Sequence, residues 1–461
     1  MHATAIVLAA GEGTRMKSNH AKVSHEILGK PMVSWVVDAA REAGCERIVV
    51  VVGSHADEVR ALVEGAQDVT CVEQAERLGT GHAVKVALDA MGAVSGPVVV
   101  LNGDLPLILP ETVRMFAESV ATGEFAGAIL TMDPPDCTGY GRIELDADGN
   151  VERIVEQKDC TPEQAERLTQ CNAGCYAFDG AALAAHIGEL STQNAQGEYY
   201  LTDMVEILRT AGERVCTFPC GDYREGLGVN SRAQLAQLTA LARDRVNARL
   251  MAEGVTMVDP SSVWIAPQVS VGRDTVILPQ TMLMGDTSVG EECVVGPNTR
   301  LTDTRVGSFC TIDETVAVEA VIDDHVSCGP RAYLRPGTHM CDGSKAGTHV
   351  EIKKSTIGRG SKVPHLSYIG DTQMGEGVNV GAGSITCNYD GKRKHATQIG
   401  DRTFIGSDTM MVAPVSIGSD AVTGASSCIT RDVPDGALAI ERTHQQNIEN
   451  YTQRKRASEK E

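Results

Sequence analysis

Residues 265–301 of the chain read IAPQVSVGRDTVILPQTMLMGDTSVGEECVVGPNTRL. Apolar side chains recur every six residues in this stretch, at Ile265, Val271, Ile277, Leu283, Val289, Val295 and Leu301. Small residues keep a matching column at Thr275, Thr281, Thr287, Cys293 and Thr299. No amphipathic helix keeps an apolar column at this spacing, and an antiparallel strand loses it at its turns. The column predicts a parallel β-helix in which each hexapeptide forms one flat side of a coil.

The hexapeptide phase slips after Leu301 and returns at Ile399, Ile405, Met411, Ile417, Thr423 and Ile429. The irregular stretch between them, about residues 330–395, is rich in polar side chains, and irregularity within a repeat often marks a binding face. His365 lies in this stretch and is a candidate general base, because a histidine titrates near neutral pH. The alternatives are a structural histidine and a β-helix with a purely structural role.

A second signal stands at the start of the chain, where Ile6–Met16 reads IVLAAGEGTRM. The apolar run predicts a buried strand, and Gly11 and Gly13 allow a sharp turn that approaches a ligand closely. Arg15 and Lys22 then add cations where the backbone N–H groups of the turn already favour an anion. The simpler alternative is an ordinary strand–helix connection with two solvated basic residues.

Residues 1–230 alternate strand-like and helix-like segments. Arg47–Val52 and Pro97–Leu101 are near-continuous β-branched runs, as expected for parallel strands buried on both faces. Segments between them have helical apolar spacing. This alternation predicts an α/β domain with a doubly wound, Rossmann-like sheet, and ligands of such sheets bind beyond the carboxyl ends of the strands.

Several polar groups could complete a site at that edge. Gln74, Gly79 and Thr80 offer an amide and a turn ahead of a helix, suited to a base edge. Asp104 directly follows a buried strand and could bind Mg²⁺; the alternative is a cap for the next helix. Further turns of the same kind contain Gly141, Glu156, Asn172 and Asn230.

Composition and charge limit the class of protein. The 461 residues suffice for two or three domains, and the net charge of −20 argues against a nucleic-acid partner. The 14 cysteines form no metal-like cluster and predict reduced thiols in a cytoplasmic protein, and no apolar run predicts membrane insertion. Residues 231–252 lack Gly and Pro and predict a linker helix, with a partner-binding helix as the alternative. The predicted domains are therefore 1–230 and 253–461.

In this order and spacing, the N-terminal motifs resemble the bifunctional bacterial N-acetylglucosamine-1-phosphate uridyltransferase / glucosamine-1-phosphate acetyltransferase family. The resemblance implies that UTP and UDP-N-acetylglucosamine are bound by Leu8, Ala9, Ala10, Gly11, Lys22, Gln74, Gly79, Thr80, Gly141, Glu156, Asn172 and Asn230. It also implies that Arg15 and Lys22 act on phosphates and that Asp104 and Asn230 bind Mg²⁺. One departure is Asn102, where many relatives have tyrosine before Gly-Asp.

The C-terminal half resembles the acetyltransferase half of the same family, in RPG at Arg335, EIKK at Lys353, HLSYIGD, NVGAG and TCNYDG. The resemblance implies a left-handed β-helix, a homotrimer and His365 as the catalytic base. It implies that glucosamine 1-phosphate is bound by Arg335, Lys353, Tyr368 and Asn379. The implied acetyl-CoA site comprises Ala382, Asn388, Tyr389, Ser407, Ala425 and Arg442. A departure is Pro364, which stiffens the approach to His365.

The leading hypothesis is a two-step enzyme. Its C-terminal domain acetylates glucosamine 1-phosphate with acetyl-CoA, and its N-terminal domain transfers UMP from UTP to the product. One alternative is a sugar nucleotidyltransferase whose β-helix only assembles or regulates it, and another is a non-catalytic scaffold that binds nucleotide sugars.

Overall fold

The computed structural model describes residues 2–65, 67–146, 149–194 and 197–459. The chain forms two compact units, Met1–Ala242 and Arg243–Glu461. The helix Arg232–Ala252 runs from the first into the second. No helix of the described residues is long and apolar enough to cross a membrane.

The first unit contains a central sheet and a small two-stranded ribbon. Its strands are β1 (Ala3–Ala9), β2 (Glu26–Ile27), β3 (Lys30–Pro31), β4 (Cys45–Val52), β5 (Val69–Glu73), β6 (Pro97–Asn102), β7 (Gly127–Met132), β8 (Arg142–Leu145), β9 (Val151–Val155), β10 (Cys171–Asp179) and β11 (Val215–Pro219). Its helices are α1 (Met32–Glu42), α2 (Ala56–Val63), α3 (Thr80–Met91), α4 (Pro110–Ala121), α5 (Pro162–Arg167), α6 (Gly180–His186), α7 (Met204–Thr210) and α8 (Arg232–Ala252). Short 3₁₀ helices span Thr14–Met16, Lys22–Ser24, Ile187–Glu189, Leu201–Asp203 and Tyr223–Gly226.

The central sheet has the order β11-β7-β10-β6-β1-β4-β5, and the hairpin β8–β9 joins it through β10. β1 pairs in parallel with β4 and β6, which confirms the two predicted buried strands. β10 runs antiparallel to both β6 and β7, so the sheet is mixed. Successive residues of β4 belong to opposite cores: Val50 lies in the core that also contains residues of α1, α2 and α4, and Val51 lies in the core that contains residues of α3, α6 and α7. Helices therefore cover both faces, as predicted.

The second unit is a left-handed parallel β-helix with three parallel sheets, here called the first, second and third faces. The first face comprises Thr256–Met257, Val276–Ile277, Val294–Val295, Thr311–Ile312, Ser327–Cys328, Lys345–Thr348, Lys362–His365, Asn379–Val380, Phe404–Ile405, Val422–Thr423 and Leu438–Ala439. The second comprises Trp264–Ile265, Met282–Met284, Arg300–Thr302, Val316–Val318, Tyr333–Leu334, Glu351–Lys353, Tyr368–Gly370, Ile385–Cys387, Met410–Val412 and Cys428–Ile429. The third comprises Ser270–Val271, Ser288–Val289, Arg305–Val306, Val321–Ile322, His339–Met340, Thr356–Ile357, Thr372–Met374, Thr397–Ile399 and Val415–Ile417. A final helix, α9, spans Tyr451–Ser458.

Variation in coil length explains why the sequence period slips. Met282 pairs with Arg300 on the next coil, and Arg300 pairs in turn with Val316, so the second of these two coils is the shorter. The coil between Ile385 and its partner Met410 is longer than either, because a hairpin closed by a Tyr389–Lys394 bridge is inserted there. The β-helix thus continues through the stretch where its sequence period is lost.

The small-residue column lies at corners inside the β-helix. Thr275 is fully buried; its hydroxyl donates to the Gly290 carbonyl at 2.8 Å and accepts from the Cys293 amide at 3.0 Å. Thr275 thus ties this corner to the next coil, and its buried hydroxyl is paired. The preceding Asp274 has φ +60°, which turns the chain into the corner.

Candidate functional site

The opening glycine loop and the segment around Asp104 meet at the carboxyl edge of the sheet. β1 and β6 are neighbours with Leu8 opposite Asn102, and the Gly103 amide donates to the Leu8 carbonyl at 2.9 Å. The loop that follows each strand therefore opens on the same side of the sheet, where doubly wound folds bind their ligands.

A cavity of about 770 Å³ opens at this edge. It is lined by Leu8, Ala10, Gly11, Glu12, Lys22, Val23, Gln74, Arg77, Gly79, Thr80, Ala83, Asn102, Asp104, Glu198 and Asn230. Most residues predicted to hold the nucleotide are among them. Ala9 instead faces the core, and Arg15 is exposed on the short helix Thr14–Met16.

A smaller cavity of about 220 Å³ adjoins the first. It is lined by Gly141, Glu156 and Asn172, which the resemblance implies bind the sugar part of UDP-N-acetylglucosamine. Asn102, Asp104 and Asn230 line both cavities. The predicted nucleotide and sugar residues therefore lie in two neighbouring compartments, and the predicted metal ligands stand where these compartments meet.

Lys22 joins the two predicted metal ligands. Its ammonium forms an ion pair with Asp104 and donates to Asn230 Oδ1 at 3.3 Å. The side chains of Lys22 and Asp104 are 14% and 13% exposed, so water screens this pair weakly. Two oxygen ligands from distant parts of the sequence thus converge on one cation, an arrangement that also suits a divalent metal.

The backbone around Lys22 is held from two sides. Gly13 has φ +60°, and a Cβ there would lie 2.6 Å from Lys22 Cβ, so this position requires glycine. From helix α2, Glu58 accepts from the Ala21 amide at 3.0 Å and from the Ser24 hydroxyl at 2.7 Å. Burial acts to raise the pKa of Glu58, but the hydrogen bonds from Ser24 and Ala21 outweigh it and lower that pKa.

Gln74 lines the larger cavity, and contacts with the protein fix its side chain. Its buried amide nitrogen donates to the Gly79 carbonyl at 3.0 Å and lies 3.0 Å from His82 Nδ1. Gly79 has φ +107°, and a Cβ there would lie 2.5 Å from the Tyr199 carbonyl. Since the side-chain nitrogen of Gln74 is already hydrogen-bonded within the protein, its side-chain oxygen is the atom that can accept a hydrogen bond from a ligand.

In the smaller cavity, one hydrogen bond joins β6 to β10 and a second lies within β10. Asn102 donates to the Gly174 carbonyl at 3.1 Å, and Asn172 accepts from the Gly174 amide at 2.8 Å. Glu156 also lines this cavity, and desolvation of its carboxylate, with repulsion from Asp159, raises its pKa. A raised pKa suits a carboxyl group that meets sugar hydroxyls rather than a cation.

On the β-helix, the predicted glucosamine 1-phosphate residues lie mainly on the second face. Arg335 pairs with Glu351 at 2.8 Å, and the Arg335 amide donates to the Ile352 carbonyl, which places Arg335 beside Lys353 on the next coil. Tyr368 follows one coil further, and its hydroxyl lies 3.3 Å from the Asn388 amide nitrogen. Asn379 lies on the first face, paired with Lys362.

His365 ends a strand of the first face and is exposed at a corner. Backbone amides donate to carbonyls of the preceding coil, from Gly383 to Leu366, from Asp408 to Ala382 and from Ser426 to Ser407. These bonds fix which residue of each following coil corresponds to His365. The residues at corresponding positions of successive coils are His365, Ala382, Ser407 and Ala425. Arg442 caps this column by donating to the Ala425 carbonyl at 3.0 Å. The predicted base His365 and most of the predicted acetyl-CoA residues thus form one column along the β-helix. Tyr389, also predicted to bind acetyl-CoA, is exposed on the inserted hairpin.

Some cavity residues escape sequence reasoning. Glu12 of the glycine loop and Arg77 of the Gln74 loop form an ion pair, and Glu198 approaches from a distant loop. Glu12 lies in the quoted glycine-loop sequence and Arg77 lies between Gln74 and Gly79, but only the fold shows that they pair. Glu198 lies in the sequence segment 194–203, which also resembles the family, but the sequence predicts no role for it.

Comparison with known proteins gives the family. Residues 5–140 match the MobA-like NTP transferase domain. The chain is 49% identical over 457 residues to the bifunctional protein GlmU of Streptomyces avermitilis and, equally, to that of Streptomyces coelicolor, covering 98% of this chain and 95% of each relative. It is 48% identical over 453 residues to the GlmU of Heliobacterium modesticaldum, covering 98% of both. The predicted enzyme with uridyltransferase and acetyltransferase activities is confirmed, and the chain belongs to the family of bifunctional GlmU proteins.

Proposed function

We propose that the two adjoining cavities of the first unit bind UTP and N-acetylglucosamine 1-phosphate and join them, with residues 1–230 as the uridyltransferase domain. The observation that carries this is the convergence of Asp104 and Asn230 on Lys22 at the junction of the cavities. In this arrangement Gln74, Gly79 and Thr80 hold the base, the segment Leu8–Gly11 lies along the nucleotide, and Gly141, Glu156 and Asn172 hold the sugar.

Mg²⁺ fits this junction. A carboxylate and an amide oxygen, each partly shielded from water, already share a single cationic partner. Asp104 and Asn230 would hold the ion, which supplies charge neutralisation for the phosphates. Lys22, which lies beside both ligands, would offer its ammonium to a phosphate, and the exposed Arg15 would add a second cation.

Catalysis then depends on positioning. A phosphate oxygen of the sugar attacks the α-phosphorus of UTP in line, a new P–O bond forms, and the bond to pyrophosphate breaks. The chain supplies no covalent intermediate. Its residues hold two anionic substrates in neighbouring compartments and place cations where charge accumulates.

We propose further that residues 253–461, following the linker helix 231–252, acetylate glucosamine 1-phosphate. Arg335 and Lys353 lie on adjacent coils, and both cations would bind the phosphate. Tyr368 and Asn379 would lie near the sugar. His365 takes a proton from the amine as the nitrogen attacks the acetyl-CoA thioester; a C–N bond forms, the C–S bond breaks, and CoA leaves as its thiol. The column of Ala382, Ser407 and Ala425, flanked by Asn388 and Tyr389 and ending at Arg442, offers acetyl-CoA an extended track.

We also propose a cytoplasmic homotrimer assembled through the β-helix. Large apolar side chains of the second unit are exposed, among them Phe309, Leu366 and Phe404, which are 48%, 65% and 49% exposed. Exposed apolar surface of this kind is typical of a subunit interface, and a closed three-fold ring would bury it. Sedimentation equilibrium on the full chain tests this assembly, and a monomer mass would contradict it.

One assay tests both halves. CoA-thiol release and pyrophosphate release are followed separately, using glucosamine 1-phosphate and then its N-acetyl form. His365→Ala should abolish thiol release and leave pyrophosphate release nearly intact, and Asp104→Ala should do the reverse. Equal loss of both activities in either variant, or loss of neither, would refute the two-site assignment.

A further inference from the structure

One corner of the β-helix, directly after each strand of the third face, is occupied almost entirely by glycine. It comprises Gly272, Gly290, Gly307, Asp323, Cys341, Gly358, Gly375, Gly400 and Gly418, here called the corner column. Backbone hydrogen bonds keep its register through the exceptions, since the Asp323 amide donates to Met340 and the Cys341 amide to Ile357, both at 2.9 Å.

The glycines have a steric cause. A Cβ on Gly272 would lie 2.6 Å from the Glu291 amide nitrogen, and one on Gly358 would lie closer still to the Gly375 carbonyl oxygen. A side chain in the corner column therefore needs a local shift of the next coil, which works against regular packing. Asp323 and Cys341 nevertheless occupy it, and they do so on adjacent coils.

His339 brings a third ligand type to the same place. It lies on the strand that ends just before Cys341, and its Nε2 is 2.9 Å from Asp323 Oδ2. The carboxylate oxygen, the imidazole nitrogen and the Cys341 sulfur all lie within 4.8 Å of one another. Among the described residues, these three form a group of His, Cys, Asp or Glu side chains that is close enough together to hold one ion.

We propose that Asp323, His339 and Cys341 form a Zn²⁺ site that clips two adjacent coils of the β-helix together. A tetrahedral Zn²⁺ with bonds of about 2.0–2.3 Å needs ligand atoms about 3–4 Å apart, so small side-chain rotations suffice. The side chains of Asp323 and His339 are 40% and 42% exposed, which leaves a fourth position open to water.

Ligand chemistry selects the metal. Mg²⁺ and Ca²⁺ prefer oxygen ligands, whereas thiolate and imidazole favour Zn²⁺ and Co²⁺. The uridyltransferase cavity, by contrast, offers Asp104 and Asn230 and has no thiol among its lining residues. The two kinds of site can therefore be told apart spectroscopically, because only a thiolate gives a charge-transfer band with Co²⁺.

The test uses the full chain, treated with a chelator and then titrated with Co²⁺. The wild type should show a thiolate-to-cobalt charge-transfer band that saturates at about one Co²⁺ per chain and disappears when Zn²⁺ is added. Cys341→Gly, which restores the residue usual in the corner column, should show no such band. Cys428→Ser, which removes an exposed thiol elsewhere on the β-helix, should keep it.

Zn²⁺ should also raise the melting temperature of the wild type but not of Cys341→Gly or His339→Ala, since binding to the folded state alone stabilises it. Unchanged CoA-thiol release by the variants shows that their β-helix is folded. The proposal is overturned if the wild type gives no band, if Cys341→Gly keeps the band, or if Cys428→Ser loses it.

Discussion

Replacing Gly13 by alanine should disable the uridyltransferase while leaving the acetyltransferase active. The backbone at Gly13 has φ +60°, a conformation that costs an alanine about 1 kcal/mol relative to glycine. The added Cβ would also lie 2.6 Å from Lys22 Cβ, whereas carbon atoms pack at about 3.5–4.0 Å. Lys22 must therefore move by about 1 Å.

A displacement of that size at a positioning group costs about 100-fold in rate, equivalent to about 2.7 kcal/mol of transition-state stabilisation. We expect kcat/KM for pyrophosphate release to fall by this factor in Gly13→Ala. CoA-thiol release in the same preparation should be unchanged, because its residues belong to the second unit.

Gly123→Ala is the matched control. Gly123 has φ +73°, and no atom of the described residues lies within 4 Å of the position of its Cβ. Both variants should lose a few degrees of melting temperature through backbone strain, but only Gly13→Ala should lose pyrophosphate release. Pyrophosphate kcat/KM values within about threefold of each other would refute the assigned role of Lys22, since a threefold change is less than about 1 kcal/mol.

Three further predictions concern single side chains. Burial and Asp159 raise the pKa of Glu156 above its ordinary value of 4.5, so its ionised form destabilises the fold. Glu156→Gln should therefore have the wild-type melting temperature below about pH 4.5 and a higher melting temperature than the wild type at neutral pH. A wild type that is more stable than the variant at pH 8 would contradict this. Arg335→Ala should raise KM for glucosamine 1-phosphate at least about tenfold with no effect on pyrophosphate release, whereas Arg331→Ala, which breaks the similar pair with Glu314, should change neither. Thr281→Val removes a buried hydroxyl that donates to the Leu278 carbonyl at 2.8 Å, and should lower the unfolding free energy by about 1–2 kcal/mol in a denaturant titration; no change would contradict the role of the column.

The β-helix could be predicted from sequence because its long-range contacts are at nearly fixed sequence spacing. Each coil packs on the next, so a column such as Ile265, Leu283 and Leu301 reports its own register. The prediction weakened where the coils become shorter, as they do between Arg300 and Tyr333. There the packing persists while the period on which the prediction depended is lost.

The residues of the two cavities in the first unit have no such fixed sequence spacing. Lys22 meets Asp104 and Asn230 across separations of 82 and 208 residues, set by the order of strands in the sheet. The buried runs β4 and β6 could be predicted, but the antiparallel β10 that carries Asn172 could not, since its apolar pattern does not encode direction. The residues of the site were therefore found by motif resemblance, and their mutual geometry required the fold.

Glu58 shows what motif strings omit. It lies in helix α2, away from both cavities, and none of the glycine-loop or Gly-Asp motifs includes it. Yet it receives the Ala21 amide and the Ser24 hydroxyl on either side of Lys22, and His20 Nδ1 lies 3.1 Å from the same carboxylate. The position of the lysine that joins Asp104 and Asn230 thus depends on a carboxylate that is not among the lining residues of either cavity. Because its effect passes through backbone geometry, its replacement by glutamine should act on Lys22 placement rather than on charge in the cavity.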